Sequence, residues 1–184
     1  MKKLLILILV VLIAWFALGF LGDDTEERVD ILAPTEESPL SFRPDPSNGV
    51  FSFDDGSVVL KNGKNEREII PGSPLKEEVS LTDVISYGDI NADDKTDAVL
   101  VLARSGGGSG IFLYVAGFVS GPVSYKGTNA LFLGDRVSPQ SITISSGVAK
   151  VKYLDRREGE AFAEEPTIER TKEFVFKNGE LQER

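Results

Sequence analysis

The sequence contains no cysteine and no histidine. Without cysteine there is no disulfide, no thiolate nucleophile, no Cys-ligated zinc or iron–sulfur cluster, and no lipidated cysteine behind an apolar leader. Without histidine, the commonest general base and the commonest transition-metal ligand are both missing, which excludes Ser–His–Asp and Cys–His catalysis, His-ligated zinc and His-held haem. Basic residues form no run after Lys2 and Lys3, and the formal net charge is −9. The electrostatic footprint of a nucleic-acid binder is therefore absent, and no nucleic-acid partner is expected. Acidic balance suits solubility outside the cell and divalent cations, but it selects no function by itself.

What is present begins with an unbroken apolar run over residues 4–21, preceded by Lys2 and Lys3. At about 1.5 Å per residue it is long enough to cross the hydrocarbon core of a bilayer. The two lysines predict a cytoplasmic N-terminus, which puts everything after Gly22 on the far side of the membrane. The run is long for a cleaved signal and carries Trp15, Phe16, Phe20 and Leu21 near its end, with only Ala17 and Gly19 as a poor small-x-small site. The expectation is a retained single-pass anchor in the cell membrane, with secretion after signal cleavage as the alternative.

Residues 23–48 change character abruptly. Asp23, Asp24, Glu26, Glu27, Asp30, Glu36, Glu37 and Asp45 are interleaved with Pro34, Pro39, Pro44 and Pro46. Such a stretch has too little apolar surface to order itself and predicts a solvated, extended tether. Val29, Ile31, Leu32, Leu40 and Phe42 are available for local docking.

Residues 49–184 are expected to form one extracytoplasmic β domain. Composition supports a real core: 41% of the chain is hydrophobic, with eleven Phe and four Tyr. Short β-type runs alternate with turn residues, at 50–53, 57–60, 66–70, 98–103, 111–119, 131–133, 141–145, 148–153 and 167–176. Asn62-Gly63 is a type I′ hairpin signal, Ser146-Gly147 a tight turn, and Asn178-Gly179 the end of the last strand. The runs at 98–103 and 111–119 are the most apolar and predict central strands buried on both faces. The expected fold is mostly β: an antiparallel meander forming a sandwich or half-barrel, preceded by one transmembrane or signal helix and an acidic Pro-rich linker.

One constellation carries chemistry. Asp89-Ile90-Asn91-Ala92-Asp93-Asp94-Lys95-Thr96-Asp97 reads D-x-N-x-D-x-x-x-D. Oxygen ligands at the first, third, fifth and ninth positions, with a main-chain carbonyl at the seventh, are how a short loop wraps Ca²⁺. Asp89, Asn91, Asp93 and Asp97 are the candidate side-chain ligands, and Lys95 offers its carbonyl. Asp94 stands where an EF-hand needs Gly, and Leu100 where it needs a bidentate Glu, so the loop is no EF-hand. A β-strand is expected to follow it, which resembles the calcium loops of integrin-type FG-GAP and related β repeats. The competing reading is a solvated acidic hairpin turn closed by Asx hydrogen bonds.

Other candidates are weaker. Ser105-Gly106-Gly107-Gly108-Ser109-Gly110 lacks the Lys-Ser/Thr and the helix of a phosphate cradle and predicts a flexible hairpin loop. Ser124 with Lys126 and Ser146 with Lys150 are the nearest Ser–Lys pairs, without a supporting motif. Glu158, Glu160, Glu164, Glu165 and Asp135 include the carboxylates available to a glycosidase, but 158–165 reads as an acidic surface loop. Asp135-Arg136 and Asp155-Arg156 predict structural ion pairs at strand ends.

Gly88 to Asp93 with Asp97-Ala98, the Ser105–Gly110 stretch with Tyr114-Val115-Ala116, Gly127-Thr128-Asn129-Ala130, Leu133-Gly134-Asp135-Arg136 and Tyr153-Leu154-Asp155-Arg156 form a set. Together, over about residues 49–181, they resemble an uncharacterised family of exported bacterial proteins, often lipoproteins or membrane-anchored ones. That family usually reads D-x-N-G-D-G at the acidic loop, so Ala92 and Asp94 depart from it; it often has an aromatic pair where this chain has Leu113-Tyr114. The resemblance implies export and domain extent and carries no activity.

The expectation is a membrane-anchored extracytoplasmic binding or structural module, stabilised by Ca²⁺ as cofactor, with an envelope protein or glycan as partner. The alternative is an envelope hydrolase using carboxylate or Ser–Lys chemistry, which has no motif in its support.

Overall fold

The computed structural model describes residues 42–184. The apolar run 4–21 and the linker up to residue 41 lie outside the described residues. Residues 42–48, assigned to the linker in the sequence reading, are among the described residues. Asp45 accepts the Ser47 N–H at 2.9 Å and caps a short 3-10 helix, Pro46–Asn48, in which Pro46 is buried.

Twelve strands follow, all paired antiparallel. β1 (Val50–Phe53) and β2 (Gly56–Val59) form a hairpin of their own. β3 (Lys64–Glu68), β4 (Lys76–Gly88), β5 (Asp97–Ser105), β6 (Phe112–Val119) and β7 (Lys126–Gly127) lie side by side, and β8 (Leu131–Asp135) also pairs with β6. β9 (Ser138–Ser145), β10 (Val148–Asp155), β11 (Ile168–Lys177) and β12 (Glu180–Glu183) make a four-stranded sheet in chain order. The described chain is thus mostly β and antiparallel, as expected; its strands fall into three sheets, and none closes into a barrel.

The central strands bury both faces, as their apolar runs predict. Ala98 through Leu102 of β5 have no exposed surface. Side chains alternate across a strand, so Val99 and Val101 join Leu113, Val115, Ile142, Ala149, Val151, Phe174 and Leu181 in a core between the six- and four-stranded sheets. Leu100 and Leu102 face the other way and pack with Phe51, Phe53, Val58 and Leu60 under the β1–β2 hairpin. Each fully buried Leu, Val or Phe contributes roughly 1.5–3 kcal/mol relative to exposure. The hairpin is therefore the third layer of a sandwich-like fold.

Three elements differ from the sequence reading. β4, the longest strand, is missing from it altogether. Leu81 pairs with Leu102 and Ile85 with Leu100, so Thr82, Asp83 and Val84 bulge opposite Val101 and break the period of two. The Thr82 hydroxyl satisfies the bulge by donating to the Val101 carbonyl at 3.0 Å. β3 ends at Glu68 rather than Ile70, and Ile69 and Ile70 stand exposed in the loop beyond it. Asn178-Gly179 does not end the sheet but turns the chain back into β12, with φ of 54° and 87°.

Candidate functional site

The acidic loop joins the end of β4 to the start of β5, where the strand following it is the most buried in the protein. Asp89 organises the turn. Its Oδ1 accepts the N–H groups of Asn91 at 3.1 Å, Ala92 at 2.7 Å and Asp93 at 3.3 Å, and its Oδ2 accepts that of Asp94 at 2.9 Å. Asn91 Oδ1 accepts the Asp93 N–H at 3.1 Å, and Asp93 Oδ1 accepts the Lys95 N–H at 3.0 Å. This nested chain of Asx turns forces the left-handed region at Ala92, φ 62°, and Asp94, φ 61°.

Asp97 closes the loop from the first residue of β5 and is fully buried. Its Oδ2 accepts the Ile90 N–H at 3.0 Å, and its Oδ1 accepts the Ser120 N–H at 2.8 Å. Ser120, immediately after β6, is the residue of this loop cluster that sequence reasoning missed. Its hydroxyl donates a short hydrogen bond to Asp93 Oδ2, and Asn91 Nδ2 donates to its carbonyl and hydroxyl at 3.2 Å each. A serine 29 residues from Asn91 leaves no local signal; only the β5–β6 pairing brings it there. Tyr125 adds a further link, its hydroxyl donating to the Thr96 carbonyl at 2.9 Å.

The electrostatics follow. The Ser120 hydroxyl, assisted by the Lys95 and Asn91 hydrogen bonds, holds the Asp93 carboxyl below its ordinary range despite some desolvation. Burial pushes the Tyr125 phenol up, with the negative charges of Asp97 and Asp93 acting in the same direction. The Lys95 ammonium lies 3.8 Å from Asp93 Oδ2.

One carboxylate oxygen from each of Asp89, Asp93 and Asp97 lies within 4.8 Å of the other two. Oxygens bound to Ca²⁺ at about 2.4 Å can be at most about 4.8 Å apart, and the three meet that distance requirement. An ionised carboxylate offers about four lone-pair directions; Asp93 and Asp97 each accept two hydrogen bonds and keep capacity for a cation, whereas Asp89 already accepts four amide N–H groups. Of the expected ligands, the three carboxylates converge. Asn91 is turned so that its amide faces Ser120, and Lys95 places its charge beside Asp93.

The remaining candidates are dispersed. The glycine loop joins β5 to β6, and Gly107 lies over Ile69 and Leu75. Lys150 is paired with Glu173 at 3.0 Å. Asp135 and Arg136 form the expected ion pair at 3.0 Å, with the Arg136 guanidinium 4.1 Å above the Phe162 ring. Arg156 instead reaches the Glu164 and Arg136 carbonyls at 2.6 and 2.8 Å.

A second charged cluster was not foreseen. Arg104 of β5 donates to both oxygens of Asp55, in the β1–β2 turn, at 2.8 and 2.5 Å, and also to Glu77 of β4. Arg67 of β3 donates to Glu77 and to Asp55, the latter at 3.3 Å. The Arg104 hydrogen bonds bring the Asp55 carboxyl down to about 2. Burial pushes Glu77 up, but the hydrogen bonds from Arg67 and Arg104 outweigh it and leave the carboxyl lowered. The residues come from four strands or turns, so no linear motif announces them.

Comparison with protein-family models, with curated proteins and with solved structures returns no match.

Proposed function

We propose that this chain is a membrane-attached, extracytoplasmic binding or structural module whose β4–β5 loop takes up Ca²⁺ through Asp89, Asp93 and Asp97, completed by Asn91 and the Lys95 carbonyl. The supporting observation is the convergence of three carboxylate oxygens within 4.8 Å at a loop fastened to the fully buried start of β5. Bringing three carboxylates together without a cation costs Coulomb energy, so an ion bound there stabilises the whole sandwich. The module then presents a rigid β surface to an envelope protein or glycan. Membrane attachment rests on the apolar run 4–21 with its preceding lysines. The resemblance to exported, membrane-anchored bacterial proteins points the same way.

The test is thermal melting of the full chain in detergent, with millimolar Ca²⁺ and with chelator. Ca²⁺ at a hundredfold excess over its dissociation constant adds about 2.7 kcal/mol, a rise of roughly 5–10 °C for a domain this size. Asp93→Ala should abolish the rise, and Mg²⁺ should substitute poorly because it demands tighter octahedral geometry. Superimposable curves with Ca²⁺ and chelator would sink the metal reading. Fractionation checks attachment: the full chain should sediment with membranes, and a soluble mature form starting between Phe20 and Asp24 would show a cleaved signal instead.

A further inference from the structure

The sequence contains three Asn-Gly pairs, Asn48-Gly49, Asn62-Gly63 and Asn178-Gly179. Asn-Gly is the dipeptide most prone to lose its side-chain amide, because glycine leaves its nitrogen unshielded and its backbone free to swing. Locally the three are equivalent, and only their surroundings distinguish them.

Two of the glycine nitrogens are engaged. The Gly49 N–H donates to the Pro46 carbonyl at 2.9 Å, and Gly49 itself is buried beneath Phe51. The Gly63 N–H donates to the Ser47 carbonyl at 2.8 Å, and the Asn62 N–H donates to Asn48 Oδ1 at 3.1 Å. Among the described residues the Gly179 N–H has no such acceptor. Asn178, Gly179 and Glu180 are all exposed, and nothing lies within 4 Å of where a Gly179 Cβ would stand.

We propose that Asn178 is the site at which this protein deamidates. The Gly179 nitrogen, deprotonated by hydroxide, attacks Asn178 Cγ; the new N–Cγ bond forms as the Cγ–Nδ2 bond breaks, and Nδ2 takes up a proton and leaves as ammonia. Water then opens the cyclic imide. Attack at Cγ restores the main chain and yields aspartate, whereas attack at the main-chain carbonyl yields isoaspartate, with the chain rerouted through Cγ. Reaching Cγ requires the Asn-Gly backbone to rearrange, at Asn62 and Asn178 out of the left-handed region. At Asn178 that disturbs only the terminal Lys177–Glu180 pair of the β11–β12 hairpin. At Asn62 it breaks the two hydrogen bonds to the Ser47–Asn48 segment, and at Asn48 it unwinds the 3-10 helix.

The product has a structural consequence. Isoaspartate adds a methylene to the main chain of a two-residue turn, so β12 slides relative to β11. Leu181, two residues on from Gly179, is 1% exposed and cannot move without opening the core. Deamidation at this one turn therefore loosens β12.

The experiment is incubation of the full chain at mildly alkaline pH, followed by peptide mapping with mass spectrometry and isoaspartate detection, natively and in guanidinium. Asn178 should convert at least about tenfold faster than Asn62 or Asn48 in the native protein, a difference of roughly 1.4 kcal/mol in opening cost. In guanidinium the three rates should converge. Asn178→Gln should remove the fast product and leave the two slow sites unchanged. Comparable native rates, an earlier conversion of Asn62 or Asn48, or the same ranking in denaturant would each overturn the assignment.

Discussion

The side-chain amide of Asn129 takes both main-chain polar groups of Leu181, donating Nδ2–H to its carbonyl at 2.9 Å and accepting its N–H at 2.8 Å. Fifty-two residues separate the pair. The neighbours of Asn129 reach the other way: Thr128 accepts the Ser52 N–H at 3.1 Å, and the Ala130 N–H donates to Ser52 at 2.8 Å. The segment 128–130 thus fastens β1 on one side and β12 on the other.

Asn129→Ala should destabilise the protein by about 2–3 kcal/mol, because it leaves the N–H and carbonyl of a buried residue unpaired. Denaturant melting measures the loss, and hydrogen exchange should place it at Leu181. A midpoint within error of the parent would show that water replaces the amide at no cost.

Ala92→Gly should stabilise the protein by about 1 kcal/mol, with or without Ca²⁺, since an alanine at φ 62° carries a left-handed penalty that glycine does not. Asp94→Gly should give less, because aspartate tolerates this region. Urea midpoints compare the two, and a destabilised Ala92→Gly would contradict the loop conformation.

Gly127→Ala should cost about 3 kcal/mol or prevent folding. A Cβ built there would stand 2.1 Å from the Val50 carbonyl oxygen, where β1 crosses β7. Neither chain can retreat without exposing Phe51. Protease sensitivity appearing first in the β1–β2 hairpin would locate the damage, and an undisturbed variant would show the crossing to be looser than described.

Arg104→Met should cost about 3 kcal/mol by leaving Glu77, 9% exposed, with one partner fewer. The same cluster sets an acid limit. Asp55 has a folded value of about 2, below its ordinary 3.8, so its contribution is complete above pH 4 and is lost as pH falls from there towards 2. Half-exposed, that carboxylate contributes no more than about 1 kcal/mol after solvent screening. Asp55→Asn should flatten acid unfolding over that window, and an unchanged acid limb would exclude the cluster as its source.

The legible parts of this protein are those governed by neighbours in the chain. Val99, Val101, Leu100 and Leu102 belong to a run so apolar that burial on both faces was its only stable placement, and the structure agrees. Asn62-Gly63 turns the chain as its φ preferences require. The acidic loop was readable because its Asx hydrogen bonds all fall within six residues of Asp89. β4 escaped notice for a physical reason: a bulge at Thr82–Val84 disrupts the alternation by which a strand is recognised.

By itself the sequence determined the class of structure, the chemistry that is impossible without cysteine or histidine, and the acidic loop whose carboxylates converge, since composition and short spacing suffice for each. Only the tertiary structure decided the division into three sheets, the arrival of Ser120 at Asp93, the Arg104–Asp55–Glu77 cluster, and which of three identical Asn-Gly pairs has its glycine nitrogen free of a backbone acceptor. The Ser120–Asp93 and Arg104–Glu77 contacts join residues 27 apart, and local propensity carries no information about such partners.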